Sequence, residues 1–198
     1  MISEYDNEPI PGLPAMLPPG EEILWQGAPD WKRLMLSAFH VRGVAGYFGA
    51  LALFGLAQGA WLGAAITVGA AIACIAVLAL IAWGSARTTL YTLTNKRVVM
   101  RIGIALPKCI NLPLTLVGAA DLSVNSDGTG DIPLRLLGEQ RLGYLALWPH
   151  ARPWKISTPQ PMLRAVPDAN SVAAMIARAC GARLTVAPAP SFAQALAA

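Results

Sequence analysis

Two histidines and three cysteines in 198 residues leave little material for catalytic or metal-binding constellations. Neither His40 nor His150 has Ser, Cys and acid partners at a recognised spacing, and there is no Walker loop, no H-E-x-x-H and no repeated acid pair. Cys74, Cys109 and Cys180 stand apart with no C-x-x-C pair. That argues against a zinc site or a disulfide framework and fits small buried hydrophobes in a reducing compartment. The 125–131 segment carries Asp127 and Asp131 but lacks the ligand spacing and terminal Glu of a calcium loop, so it reads as a solvated hairpin tip. The expectation is a protein without enzymatic activity, cofactor or metal site.

Charge is scarce too. Asp, Glu, Lys and Arg make up 13% of the chain, about half the roughly 25% of globular domains. From Gly43 to Ala86 there is no charged residue and no histidine. A membrane helix needs about 20 apolar residues, so this stretch is long enough for two crossings. Gln58, Gly59 and Trp61 tolerate an interface and break the apolar run, which predicts helices over 41–57 and 62–84. Trp61 and Trp83 then sit at the two ends of the second crossing, at the headgroup level. Lys32, Arg33 and Arg42 precede the pair, Arg87, Lys96, Arg97 and Arg101 follow it, and the hairpin has no base. Basic flanks stay on the cytoplasmic side, so both termini are expected there, in a multi-pass membrane protein. About 40 polar, proline-rich residues precede the run, so a cleaved export signal is not expected. The run holds no histidine to ligate a metal-centred pigment, so no resident pigment is expected.

The remaining charge is uneven. Residues 1–31 hold six acids and no Lys or Arg, whereas the rest carries all 15 bases against five acids. A basic domain beside anionic headgroups gains roughly 1 kcal/mol per base near the surface, which makes an anionic lipid membrane an expected partner. The bases are scattered and no reading motif accompanies them, so nucleic acid is not.

The acidic segment 1–31 is interrupted by Pro9, Pro11, Pro14, Pro18, Pro19 and Pro29, which block continuous helix. Most of it is expected to be irregular, with a short extended stretch around Ile23 and Trp25 able to join a sheet, or else a mobile tail. After the apolar run, β-prone stretches at 88–94, 97–102, 108–112, 116–124, 132–137, 141–148 and 161–166 are separated by turn signals. Asn95-Lys96 suits a hairpin turn, and the 125–130 stretch is rich in turn residues. Val172, Met175, Ile176 and Ala179 repeat at helical spacing between Asp168, a candidate N-cap, and Gly181, a candidate stop. The expected organisation is an N-terminal segment 1–31, a transmembrane hairpin 32–86, a cytoplasmic antiparallel β-barrel or sandwich with a C-terminal capping helix 87–187, and a flexible tail 188–198.

Strands followed by one amphipathic helix resemble a bacterial pleckstrin-homology-like domain. The specific likeness is Leu90-Tyr91-Thr92-Leu93-Thr94-Asn95-Lys96-Arg97-Val98-Val99, which resembles the Y-x-(L/V)-T-(N/D)-x-R first hairpin of membrane-tethered domains of that class, with Gly103 and Ile110-Asn111-Leu112-Pro113 after it. Gly20-Glu21-Glu22-Ile23-Leu24-Trp25-Gln26-Gly27-Ala28-Pro29 resembles the segment those proteins carry before their membrane helices. Together with Ala38-Phe39-His40-Val41-Arg42, these pieces resemble the PuhB-type photosynthetic-complex assembly proteins of purple bacteria. That resemblance implies a non-enzymatic scaffold for the reaction centre and its core light-harvesting (LH1) antenna, whose subunits would be its partners. It also implies structural or interaction roles for Glu22, Trp25, Gly27, Pro29, Tyr91, Thr94, Asn95, Arg97, Gly103 and Pro113. The alternative is a membrane-tethered lipid-sensing or transport-accessory protein; an enzyme using His40 or His150 is the weakest reading.

Small residues let membrane helices approach closely. Gly43, Gly46, Gly49, Gly55, Gly59 and Gly63 are therefore candidate packing positions, either between the two crossings or toward a client or a second copy in a homodimer.

Overall fold

The computed structural model describes residues 10–138, 142–181 and 184–186. The expected flexible tail 188–198, and the first nine residues of the acidic segment, lie outside these. The chain divides into two compact units. Trp31–Arg87 forms one, and the residues before and after it together form the other.

The unit Trp31–Arg87 is helical, with α1 (Trp31–Ser37), α2 (Val41–Ala57) and α3 (Trp61–Thr88). α1 and α2 are separated at His40, which sits in the left-handed region at φ 50°. α2 ends on Gln58 and Gly59. Gly59 has φ +73° and makes the left-handed step that few other residues tolerate, and the Ala60 amide bonds back to the Gly55 carbonyl at 2.9 Å. α3 is long and apolar enough to cross a membrane. At about 1.5 Å per residue, α2 alone falls short of a hydrocarbon core of about 30 Å. α1 and α2 taken together, bent by 56°, have the length and composition for a second crossing. Tyr47, Leu53, Phe54, Trp61, Leu62, Ile66, Ile72 and Leu80 are each more than half exposed, a surface that water would oppose and lipid tails would not. Arg87 lies over the Trp83 ring at 5.1 Å, and Lys32 over the Trp31 ring at 5.8 Å.

The candidate packing glycines are placed unequally. A Cβ at Gly55 would lie 3.6 Å from Ala64, which puts α2 and α3 in contact beside their turn. Gly43, Gly46 and Gly49 face open space, and Gly63 is near only Ala60 of its own turn.

The other unit holds two four-stranded sheets. In the first, β1 (Ile23–Gly27), β2 (Leu90–Thr94), β3 (Arg97–Ile102) and β4 (Lys108–Pro113) are neighbours in that order, all antiparallel. In the second the order is β7 (Met162–Val166), β6 (Gly130–Leu136), β5 (Val117–Val124), β8 (Leu184–Val186), and the β5–β8 pair is parallel. The expectation of a barrel is corrected here: among the described residues the sheets do not close on each other. They share one apolar core instead. Tyr91, Leu93, Val98, Met100 and Ile102 come from the first sheet, Ala120, Leu122, Ile132, Leu134 and Leu163 from the second, and Val172, Ala173 and Ile176 from α5 (Ala169–Cys180). Strand positions two apart and helix positions three or four apart supply these faces, which is why their periodicities were visible in the sequence.

Three further expectations are corrected. The 141–148 stretch is no strand; described from Leu142, it forms the short helix α4 (Tyr144–Leu147) with Leu147 buried. Asp168 precedes α5 but has φ 48° and makes no side-chain capping bond. The proline-rich segment is irregular from Ile10 up to β1, and β1 joins a sheet, both as expected; the alternative of a mobile tail is what is corrected there. Leu13 is fully buried, Gly12 lies against Leu90, and the Gln26 side-chain amide donates to the Pro11 carbonyl at 2.8 Å and to the Thr92 hydroxyl at 2.9 Å.

Candidate functional site

The two sequence stretches singled out on either side of the apolar run meet in space. β1 lies beside β2 with Gly27 opposite Tyr91 and Ile23 opposite Thr94, so the strands before and after the helical unit are hydrogen-bonded neighbours. Asn95 completes the join at the hairpin turn. Its side-chain oxygen accepts from the Glu22 amide at 3.1 Å, its side-chain amide donates to the Gly20 carbonyl at 3.0 Å, and its own backbone amide donates to the Glu22 carbonyl at 3.1 Å. The Lys96 ammonium reaches the Pro19 carbonyl at 3.2 Å.

Beneath this turn lies an ion pair. The Glu21 carboxylate, 2% exposed, accepts from Arg97 Nε at 2.8 Å and from the Thr94 hydroxyl at 2.8 Å. Thr94 Oγ1 in turn accepts from the Lys96 and Arg97 amides at 3.2 and 3.0 Å. Burial pushes the Glu21 pKa up, but the hydrogen bonds from Arg97 and Thr94 and the charges of Arg97 and Lys96 outweigh it and hold the carboxyl below its ordinary value. Of the two adjacent glutamates, it is Glu21 whose side chain makes this contact. Glu22 is exposed and contributes only its backbone. An extended chain turns successive side chains to opposite faces, so only the strand register could decide between them.

Other motif positions serve the same strands. The Trp25 indole lies directly over Gly27, leaving no room there for a Cβ, and packs against the core. Pro29 is buried, and the following Asp30 amide donates to the Ala165 carbonyl at 2.8 Å. Gly103 has φ +118° with the Leu106 carbonyl oxygen against its Cα, so only glycine fits after β3. Pro113 pairs with Arg97 at the exposed edge strand β4.

A second polar group was not legible in the sequence. His150 is 0% exposed, with Nδ1 2.7 Å from the Tyr91 hydroxyl and Nε2 3.1 Å from the Thr89 hydroxyl. The Arg164 amide donates to Tyr91 Oη at 3.2 Å. The phenol oxygen thus joins the Arg164 amide to the imidazole, and each ring nitrogen of His150 faces a hydroxyl. Arg164 Nη1 donates to the Pro149 carbonyl at 3.0 Å, and Asp131 accepts the Ala165 amide at 2.8 Å. Burial, with the Arg164 charge adding to it, lowers the His150 pKa to about 3. Both ring nitrogens are engaged and no solvent reaches them, so this histidine holds strand β2 to the 148–164 segment and has no open face for a substrate. Among the described residues no three His, Cys, Asp or Glu side chains cluster in a way that could hold a metal ion. What these groups do chemically is clamp; they do not present a reactive atom.

The sequence matches the family described as "Bacterial PH domain" over residues 43–179, a span that starts inside α2 and runs into α5. It is also 38% identical over 207 residues to a protein of Rhodobacter capsulatus named "Uncharacterized 23.7 kDa protein in puhA 5'region", covering 98% of this chain and 97% of that one. No solved structure matches.

Proposed function

The chain belongs to the bacterial PH domain family, and from that premise we propose that it is a non-enzymatic, membrane-tethered assembly scaffold for the photosynthetic reaction centre and its core light-harvesting complex. The observation that carries the reading is similarity along nearly the whole chain to a protein named for the puhA 5' region, which agrees with the PuhB-type likeness of residues 17–31 and 90–107.

The strand pairing supports a placement in the membrane. β1 and β2 are hydrogen-bonded neighbours, so the chain between them returns to the side it left. Any crossings made by residues 28–89 must therefore be even in number. If α3 crosses, α2 with α1 supplies the return, which supports a hairpin with both termini on the cytoplasmic side of the bacterial inner membrane. An unpaired crossing would pull that strand pair apart.

The scaffold works by position. The hairpin keeps the β unit at the membrane face, edge strand β4 or an adjacent surface holds a reaction-centre or antenna subunit by strand addition or side-chain contact, and helices pack laterally through small residues. Gly43, Gly46 and Gly49, open on α2, suit such a helix contact or a homodimer. The test is deletion of the gene in its photosynthetic host, read on native gels. Assembled complex falls while pigment synthesis continues; unchanged complex levels refute the reading.

A further inference from the structure

The apolar exposure of α2 and α3 is what lipid contact requires, but the β unit carries apolar exposure of its own. Residues 152–160 leave the second sheet and return to it as a loop with a closed neck. Ala151 bridges Pro161, the Arg152 amide donates to the Gln160 carbonyl at 2.9 Å, and the Met162 amide donates to the His150 carbonyl at 2.9 Å. Arg152 Nη1 also donates to the Gln160 side-chain oxygen at 3.1 Å and to Asp121 Oδ2 at 3.0 Å. The neck ends on His150, fixed by Tyr91 and Thr89.

A neck this well held does not fold its tip inward. Trp154 is 93% exposed at φ 63°, and Ile156 is 68% exposed, with the exposed Lys155 between them. Leu145 of α4 is 88% exposed. Tyr144 and Ile156 line one open hollow of about 450 Å³, which sets α4 and the loop side by side. From Leu142 to Val166 the sequence has no acid, while Arg152 and Lys155 are basic.

We propose that the 152–160 loop, together with Leu145, is a second membrane contact, in which Trp154 and Ile156 enter the headgroup layer and Lys155 meets anionic lipid. An indole prefers the headgroup region, and a lysine with an apolar stem suits the same depth. With Arg152 already paired to Asp121, the exposed Lys155 at the tip is the charge that suits an anionic leaflet, and no acid lies beside it in the stretch 142–166. The bilayer is also the partner at hand, because β2 begins one residue after Arg87 and Thr88 end the candidate membrane helix. Rigid presentation adds to this, since the ordering of the loop is accomplished before contact. The inference rests on α3 spanning a membrane and is independent of which client, if any, the protein serves.

The test uses the full chain in vesicles of phosphatidylcholine and phosphatidylglycerol, with single nitroxide labels read by collision with oxygen and with a water-soluble nickel chelate. Native Cys74, kept alone after Cys109→Ala and Cys180→Ala, reports the span. Trp154→Cys and Ser126→Cys, each in a background with Cys74, Cys109 and Cys180 changed to Ala, report the loop and an exposed hairpin tip away from it. The label at 154 is expected to fall between the deeply shielded Cys74 and the water-accessible 126, and Lys155→Glu is expected to move it toward 126. A label at 154 as accessible to nickel as that at 126, with Cys74 still shielded, would overturn the proposal while leaving the span intact. Shielding of 154 in native membranes but not in pure lipid would assign the loop to a protein and overturn it as well. A water-accessible Cys74 would remove the span and the proposal together.

Discussion

Changing Arg97 to Met should weaken the β unit, and the effect should shrink in acid. The substitution keeps a long apolar stem but removes the Nε donor 2.8 Å from Glu21, leaving a carboxylate 2% exposed with the Thr94 hydroxyl as its other hydrogen-bond partner. Breaking a buried pair from one side costs about 3–5 kcal/mol. The Arg97 side chain is 26% exposed, so water can partly replace it and the lower end, about 3 kcal/mol, is the expected loss. For a protein of this size that lowers the unfolding midpoint by roughly 6–12 °C. The sign with pH is set by Glu21. In the intact protein its folded pKa lies below the ordinary value of 4.5, so the pair stabilises above pH 4.5 and that contribution is lost as pH falls through the folded value. Without Arg97, burial dominates and the folded pKa moves above 4.5. The variant then regains relative stability as the carboxyl protonates, and the gap to the parent narrows below that pH. Adding Glu21→Gln should rescue part of the loss, with a coupling of about 1–3 kcal/mol. Thermal unfolding of the four proteins in detergent, followed by far-ultraviolet circular dichroism at neutral pH and at pH 4.5, measures all three. A loss under about 0.5 kcal/mol for Arg97→Met, or strict additivity with Glu21→Gln, refutes the reasoning.

The His150 pKa of about 3 against an ordinary 6.5 means that the unfolded chain takes up a proton before the folded one does. Stability attributable to this group is complete above pH 6.5 and falls by about 1.4 kcal/mol per pH unit below it, toward pH 3; His150→Gln should flatten the slope between pH 6.5 and 4.5 in the same unfolding assay. Tyr91→Phe strips the His150 Nδ1 and the Arg164 amide of their shared hydroxyl and should cost about 1–3 kcal/mol, with faster exchange of the Arg164 amide hydrogen. Gly103→Ala, at φ +118° against the Leu106 carbonyl, should cost about 1–3 kcal/mol and appear as a lower midpoint. Leu13→Ala, at a fully buried site, should cost about 2–5 kcal/mol in the same assay and would show that the proline-rich segment is part of the folded unit.

The candidate site was half legible. The Tyr91 to Arg97 hairpin and the Gly20 to Pro29 segment stand out because turn chemistry and β-prone residues are local. Their partnership is not local: 66 positions separate Gln26 from its partner Thr92, and nothing in either stretch specifies that one pairs with the other. Which of Glu21 and Glu22 turns its side chain to Arg97 is set by register as well, which no neighbouring residue fixes. The 141–148 stretch was misassigned because Leu142, Tyr144, Ala146 and Trp148 alternate with other residues as a strand would; burial of Leu147 within one helical turn decided the outcome.

The amino-acid order by itself marked where a helix long and apolar enough to cross a membrane lies, because the charge-free stretch from 43 to 86 is a property of neighbouring residues. It also settled the strand and helix periods of the β unit, which are properties of neighbouring residues. Tertiary structure alone decided that the chain returns from the helical unit to the sheet it left, that β8 joins β5 in parallel, that His150 is sealed beneath Tyr91, and that Trp154 is held out in the open. Each of these depends on groups far apart in the chain being brought to hydrogen-bond distance, and free energy of that kind comes from a shared core and not from local preference.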